Sequence, residues 1–235
     1  MTAIAKKELK SYFHSPVGYV FLGIMLLLFG LYYTQVLFLQ SSDYIPVIYS
    51  ALLVWIMVIL LPIITMRTFS EEIKNKSDQG LLTAPVGVFS IVMGKFLAAF
   101  LMFAIALAAT LIPAVIITFF SSPDWAKIFC TFVGMLLCGG SLIAIGIFVS
   151  SLTQSQIVAA IGTFGISMLL LLVGGLAGNV SNEALKNALN WISFDSRFQP
   201  FSNGIFNISS LVYFLSIAAV FLFLTARKLE SRRWG

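Results

Sequence analysis

Six stretches of this chain stay apolar for roughly the length of a membrane span: Val17 to Leu39, Ile45 to Met66, Phe96 to Phe120, Ile128 to Ser150, Ile157 to Val180 and Leu211 to Ala226. About 20 helical residues cross the hydrocarbon core of a bilayer. The runs are continuous and not alternating, which predicts helices and not barrel strands, because a helix satisfies its own backbone amides inside lipid. The expected fold is all-α: one polytopic domain over residues 1–235 with six transmembrane helices. Before the first span, residues 1–16 place Ala5, Leu9 and Tyr12 on one face and Lys6, Lys7 and Lys10 elsewhere, the pattern of an amphipathic interfacial helix. Pro16 and Pro46 open spans, where a missing N–H costs little. Pro62 and Pro113 lie inside spans and predict kinks in the second and third.

Two longer polar or mixed stretches interrupt the spans, 67–95 between the second and third and 179–210 between the fifth and sixth. In the latter, Leu185, Leu189 and Ile192 keep helical spacing, and Trp191, Phe194, Phe198, Phe201 and Phe206 follow in a run broken by Pro200 and Gly204. This pattern predicts short helices dipping into the outer leaflet as a re-entrant segment. Two readings stay open for these aromatics. They form an interfacial belt, or Trp191, Phe194, Phe198 and Phe201 form an external gate over an apolar conduit. Glycine gathers in the fourth and fifth spans, and Gly174 and Gly178 make a G-x-x-x-G that suits helix packing within the chain or between chains.

Composition strengthens the membrane reading: 60% of the 235 residues are hydrophobic and only 10% charged, against about 25% charged in soluble domains. The apolar run of the first span is too long for a signal peptide and no cleavage site follows it, so it is expected to stay as an anchor. The net charge of +5 is distributed by side. Lys6, Lys7, Lys10, Arg67, Lys74, Lys76, Lys95, Arg227, Lys228, Arg232 and Arg233 fall on one side of the spans, and only Lys127, Lys186 and Arg197 on the other. Cytoplasmic loops carry the positive excess, so both termini and 67–95 are expected in the cytoplasm. The basic balance needs no nucleic-acid partner; membrane lipid suffices.

The six runs contain no Asp, Glu, Lys, Arg or His. Ion- and proton-coupled transporters place such groups inside the membrane, and an intramembrane hydrolase needs a base beside its nucleophile; neither class fits. The two cysteines, Cys130 and Cys138, sit in the fourth span as small hydrophobes, and His14 is the sole histidine, so neither a metal site nor a catalytic residue is expected. Gly94-Lys95 ends like a P-loop, but Phe89 occupies the position of its first glycine. Any ATP must therefore be hydrolysed by another chain.

The central stretch carries the most specific signal. Met66-Arg67-Thr68-Phe69-Ser70-Glu71-Glu72, then Leu81-Leu82-Thr83-Ala84-Pro85-Val86, then Gly94-Lys95-Phe96-Leu97-Ala98-Ala99 resembles the second-to-third-span signature of ABC-2 type (type V) ABC transporter permeases. The resemblance extends to the basic start, to Asn190-Trp191-Ile192-Ser193-Phe194 with Arg197-Phe198, and to the ending Leu229-Glu230-Ser231-Arg232-Arg233-Trp234. Within that family the chain is most similar to permeases grouped as gliding-motility-associated or copper-processing.

The resemblance implies six spans and a coupling helix at about Phe69 to Leu82 seated in a groove of a separate ABC ATP-binding subunit. That subunit would bind the ATP and Mg, and a second permease chain, identical or related, would face this one. The docking residues are expected to be Phe69, Glu71, Glu72, Ile73, Lys74, Ser77, Asp78, Leu81 and Leu82, the charged ones making rim pairs and the apolar ones contact. Where many relatives read Gly-Thr and then Leu-Glu-Leu, this chain has Lys76-Ser77-Asp78-Gln79-Gly80, which interrupts the apolar face of that helix. The function implied is a non-catalytic exporter subunit moving an apolar or amphipathic cargo, with the first, second and fifth spans lining the path. The alternative is a membrane anchor passing mechanical work to a motility or envelope-remodelling complex.

Overall fold

A computed structural model describes residues 2–38, 44–75, 87–117, 119, 123–177 and 182–234. Among these every regular element is helical: α1 (Thr2–His14), α2 (Pro16–Phe38), α3 (Tyr44–Trp55), a π-helical segment (Ile56–Leu60), α4 (Leu61–Thr65), α5 (Ser70–Lys74), α6 (Val88–Ala109), α7 (Ile112–Ile117), α8 (Trp125–Leu152), α9 (Gln156–Ala177), α10 (Glu183–Ile192), α11 (Phe194–Ser202) and α12 (Ile208–Trp234). Six stretches are long and apolar enough to cross a membrane: Pro16–Gln35, Pro46–Lys74, Val88–Ile116, Trp125–Leu152, Gln156–Leu176 and Ile208–Arg232.

Local sequence explains where the helices begin. Ser15 Oγ accepts the amide of Val17 at 3.2 Å, so Pro16 enters α2 without leaving that donor open. Asp124 accepts the amides of Ala126 and Lys127 at 3.1 and 3.2 Å and caps α8. Ser193 closes α10 with its amide on the Leu189 carbonyl at 3.0 Å, while its hydroxyl accepts the Ser196 amide at 3.3 Å to open α11.

The two internal prolines act differently from simple kinks. Upstream of Pro62 the second span widens into the π segment, where the Leu61 amide reaches back five residues to the Ile56 carbonyl. A π turn is a standard way to absorb a register change next to a missing amide donor. At Pro113 the third span stops at Thr110 and restarts as α7, leaving the ring in the first turn of a new helix, where it is tolerated.

Helix α8 is the centre of the bundle, packed against α12, α11, α9, α6 and α4. Two-thirds of its span window (67%) is buried, against 22% for α2 and 17% for α9, which are therefore peripheral. Its glycines make that centrality possible. A Cβ on Gly134 would stand 2.5 Å from Phe201, and one on Gly146 would stand 2.3 Å from Thr65. These are packing contacts within one chain. So is that of Gly174, where a Cβ would meet Ser193 Oγ at 2.5 Å; half of the G-x-x-x-G thus seats the α10–α11 junction, and Gly178 lies outside the described residues.

Candidate functional site

The chain alternates direction through six spans, so α1, α5 and the start of α6 share one end of the bundle, where the charges converge. Lys95 lies eight positions into α6, not in the loop before it, and its residue is only 2% exposed. Its Nζ donates to Glu72 Oε1 at 2.7 Å, to Glu8 Oε1 at 3.2 Å and to the Thr68 carbonyl at 3.0 Å. The Phe69 ring covers the ammonium at 5.1 Å from its centroid. One cation from the third span thereby ties the N-terminal helix to the segment that follows the second span. A buried charge is tolerated only when paired and hydrogen-bonded, and all three partners are in place here.

Around this lysine the neighbouring groups lock the same segment from two more directions. Ser150, in the last turn of α8, accepts the amides of Phe69 and Ser70 at 3.0 and 3.1 Å and donates to the Met66 carbonyl at 3.1 Å. One hydroxyl thus satisfies the start of α5 and binds it to the fourth span. From α1, the Tyr12 hydroxyl donates to the Ile64 carbonyl at 3.0 Å. Burial pushes the Tyr12 phenol up to about 12, so it remains a neutral donor at ordinary pH. The Arg67 guanidinium sits 5.7 Å from the Tyr12 ring centroid and donates to Ser15 Oγ at 2.6 Å. A polar cavity of about 220 Å³ lies between α1 and α5, bordered by Glu8, Ser11, Arg67, Glu71, Glu72 and Asn75 among others. Helix α1 is accordingly bonded to the bundle and closely packed on α6, with Gly94 against Ile4.

The expected docking residues separate into two faces. Phe69 and Ile73 are buried inside this chain, and Glu72 turns inward to Lys95 instead of making a rim pair. Glu71 and Lys74 point outward, Glu71 only 3.8 Å from Arg67 one turn back. Ser77, Asp78, Leu81 and Leu82 lie outside the described residues. Beside Lys74, a second cavity of about 420 Å³ is bordered by Gln154, Ser155, Gln156 and Ile157 of the α8–α9 turn.

At the opposite end the aromatics also divide. Phe194, Phe198 and Phe201 form the buried face of α11, with Phe194 edge-on to Phe214 at 5.3 Å between centroids. The Phe201 carbonyl accepts the Thr131 hydroxyl at 3.1 Å, fixing α11 to α8. Trp191 stands apart, 64% exposed, edge-on to Tyr213 at 6.1 Å.

The family described as ABC-2 family transporter protein matches residues 2–231, nearly the whole chain. This chain belongs to the ABC-2 transporter family. Two curated relatives, each described as the probable multidrug ABC transporter permease YbhR, come from Escherichia coli K12 and O157:H7. Each is 27% identical over 168 residues, which is 71% of this chain and 45% of the relative. The chain thus aligns with less than half the length of the curated relatives it matches. An ABC-2 protein with six such helices is a multi-pass membrane protein.

Sequence reasoning on this ABC-2 chain missed Lys95, Glu8, Tyr12 and Ser150 as members of the joint. Lys95 entered it only as a loop charge, and Glu8 was not singled out. A signal for Lys95 was present, because the stretch from Val88 to Val92 is mostly apolar and helix-compatible, so the third helix starts a full two turns before Phe96. Ser150 carried none, since a serine at a helix end is an ordinary sight.

Proposed function

We propose that this ABC-2 family protein is the transmembrane subunit of an ATP-driven exporter, and that the outward face of α5 and the residues after it dock a separate ABC ATP-binding subunit. One observation carries the reading. The segment after the second span is bonded to α1, α6 and α8 through Lys95 and Ser150, so a push on α5 is delivered to three elements at once. A flexible loop would dissipate that push. Glu71 and Lys74 offer the charged contacts, and this reading assigns Ser77, Asp78, Leu81 and Leu82, which lie outside the described residues, to the same partner. Phe69 and Ile73 hold the helix from beneath, and Glu72 holds it through Lys95.

The apolar spans favour an apolar or amphipathic cargo, and the multidrug description of the Escherichia coli relatives supports it. On this reading the protein works in a bacterial inner membrane with both ends of the chain cytoplasmic and performs no catalysis, while ATP and Mg bind the partner. A second permease chain would cover the exposed apolar faces of α2 and α9, and α11 with Trp191 would close the outer end. No residue of the joint or of the outer end favours the gliding-motility or copper-processing subgroup over the wider family.

The test is purification in mild detergent from the native host of tagged wild type and of a Glu71→Lys/Lys74→Glu variant, followed by identification of bound chains. Both residues face outward, so the variant should stay folded. An ATP-binding subunit held by wild type and lost by the variant is the expected result. Equal retention by both refutes the docking face, and absence of any ATPase from wild type refutes the exporter reading.

A further inference from the structure

A groove on the exposed side of α12, at the end of the bundle that carries α10 and α11, has no part in the joint described above. It encloses about 500 Å³ and is lined by Trp191, Arg197, Val212, Tyr213, Ser216 and Val220 among others. We propose that it binds one anionic glycerophospholipid, with the phosphate on Arg197 and an acyl chain along α12. The proposal needs the protein to lie in a bilayer but not to couple to an ATPase.

The groove has two chemically distinct parts. Val212, Ser216 and Val220 recur at four-residue spacing and form one stripe down α12. Val212 and Val220 are each 54% exposed. Ser216 donates its hydroxyl to the Val212 carbonyl at 2.6 Å, so it presents no open donor to the groove. From Ile208 to Phe221, the limits of the lining on this helix, thirteen rises of 1.5 Å give about 20 Å. That exceeds the depth of one leaflet, about 15 Å, so an acyl chain is accommodated over its full depth.

The upper end is cationic and braced. Arg197 donates from Nε to the Trp191 carbonyl at 3.2 Å and from Nη1 to Ser209 Oγ at 3.0 Å. Its guanidinium stacks 5.2 Å from the Trp191 centroid and 5.4 Å from that of Tyr213. Tyr213 is itself pinned by its hydroxyl on the Ile192 carbonyl at 2.6 Å. These contacts hold the plane of the fork while occupying two of the five donors that a guanidinium offers. Among the described residues Arg197 is in no ion pair, and Asp195, two residues away, is engaged by Gln199. A fixed guanidinium with open donors, at the head of an apolar channel and flanked by Trp and Tyr, complements a phosphate diester with a hydrocarbon tail. A second copy of this chain would cover the apolar stripe but supply no anion for Arg197 from an apolar span.

The full-length protein, reconstituted in nanodiscs of equal phosphatidylglycerol and phosphatidylcholine and released for native mass spectrometry, tests this directly. Wild type should retain one phosphatidylglycerol with about ten-fold preference over phosphatidylcholine. Arg197→Gln should abolish the preference. Val220→Trp leaves every Arg197 contact in place and fills the channel, so it should remove the retained lipid while the elution profile stays that of wild type. Equal retention of the two lipids by wild type, or unchanged retention in Val220→Trp, overturns the proposal. Efficient disulfide cross-linking of Ser216→Cys between copies in native membranes also overturns it, since protein would then occupy the groove.

Discussion

Replacing Lys95 by methionine removes the one charge that joins α1, α5 and α6, and its effect follows from the geometry. The ammonium is 2.7 Å from Glu72 and 3.2 Å from Glu8. At the effective dielectric of about 20 that suits protein sites, these distances correspond to roughly 6 and 5 kcal/mol of attraction. Most of that is offset by desolvating the lysine, and the net loss on removing one member of a buried pair is about 3–5 kcal/mol. The two carboxylates keep about a fifth of their surface (21% and 22%), so water relieves part of their loss and the lower end, about 3 kcal/mol, applies. For a chain of this size about 2–4 °C accompanies each kcal/mol, giving a fall in Tm of roughly 6–12 °C. The assay is thermal unfolding in detergent, followed as loss of the monodisperse elution peak. A triple variant, Lys95→Met with Glu72→Gln and Glu8→Gln, removes the stranded charges and should recover at least half of the loss. A single variant within about 1 °C of wild type, or a triple variant no better than the single one, would show that the ion pairs do not hold the joint.

Further outcomes follow from neighbouring contacts. Glu72→Lys places a second cation against Lys95 and should lower stability by at least about 3 kcal/mol, whereas Glu71→Lys/Lys74→Glu should leave Tm within about 2 °C; equal Tm losses would refute the inward and outward assignment of α5. Gly146→Val drives a side chain against both the hydroxyl and the Cβ of Thr65, costing about 1–3 kcal/mol, and Thr65→Ala, which keeps that Cβ, should restore only part of it; a Gly146→Val variant as stable as wild type would mean that the α4–α8 approach is not limiting. Tyr12→Phe forfeits the bond to the Ile64 carbonyl, about 1 kcal/mol at neutral pH. Because burial raises the Tyr12 phenol from 10 to about 12, the unfolded chain ionises first. The contribution of the neutral phenol is full below pH 10 and declines as pH rises towards 12. The wild-type advantage over Tyr12→Phe should therefore shrink above pH 10, and a constant advantage from pH 8 to 11 refutes it.

Much of the architecture was legible because lipid imposes a simple rule. A span must be helical and apolar for its whole length, so six spans, their alternation and the two interrupting stretches could be read from hydropathy alone. Capping by Ser15, Asp124 and Asn182 is also local, each cap accepting an amide two residues on, but it entered only with the structure. Less was legible at the prolines. Composition marks Pro62 and Pro113 as breaks, but whether a helix kinks, widens into a π turn or restarts depends on which neighbours take up the freed backbone groups. The family resemblance placed Phe69, Glu72 and Ile73 on a docking surface, and a stretch reading Phe-Ser-Glu-Glu-Ile-Lys does not by itself say which of its faces is buried. The positions of α6, α8 and α9 decide that this face looks inward.

By itself, then, the sequence determined an all-α membrane chain, its six spans and the side on which its charge collects, since these depend on the free energy of each residue in lipid or water, taken one at a time. The tertiary structure decided that Lys95 belongs to a helix and not to a loop, that Glu8 and Glu72, 64 positions apart, share it, and that Arg197 heads an apolar groove. Those are relations between residues distant in the chain. Burial makes them matter, because a charge out of water is stable only where another element brings it a partner.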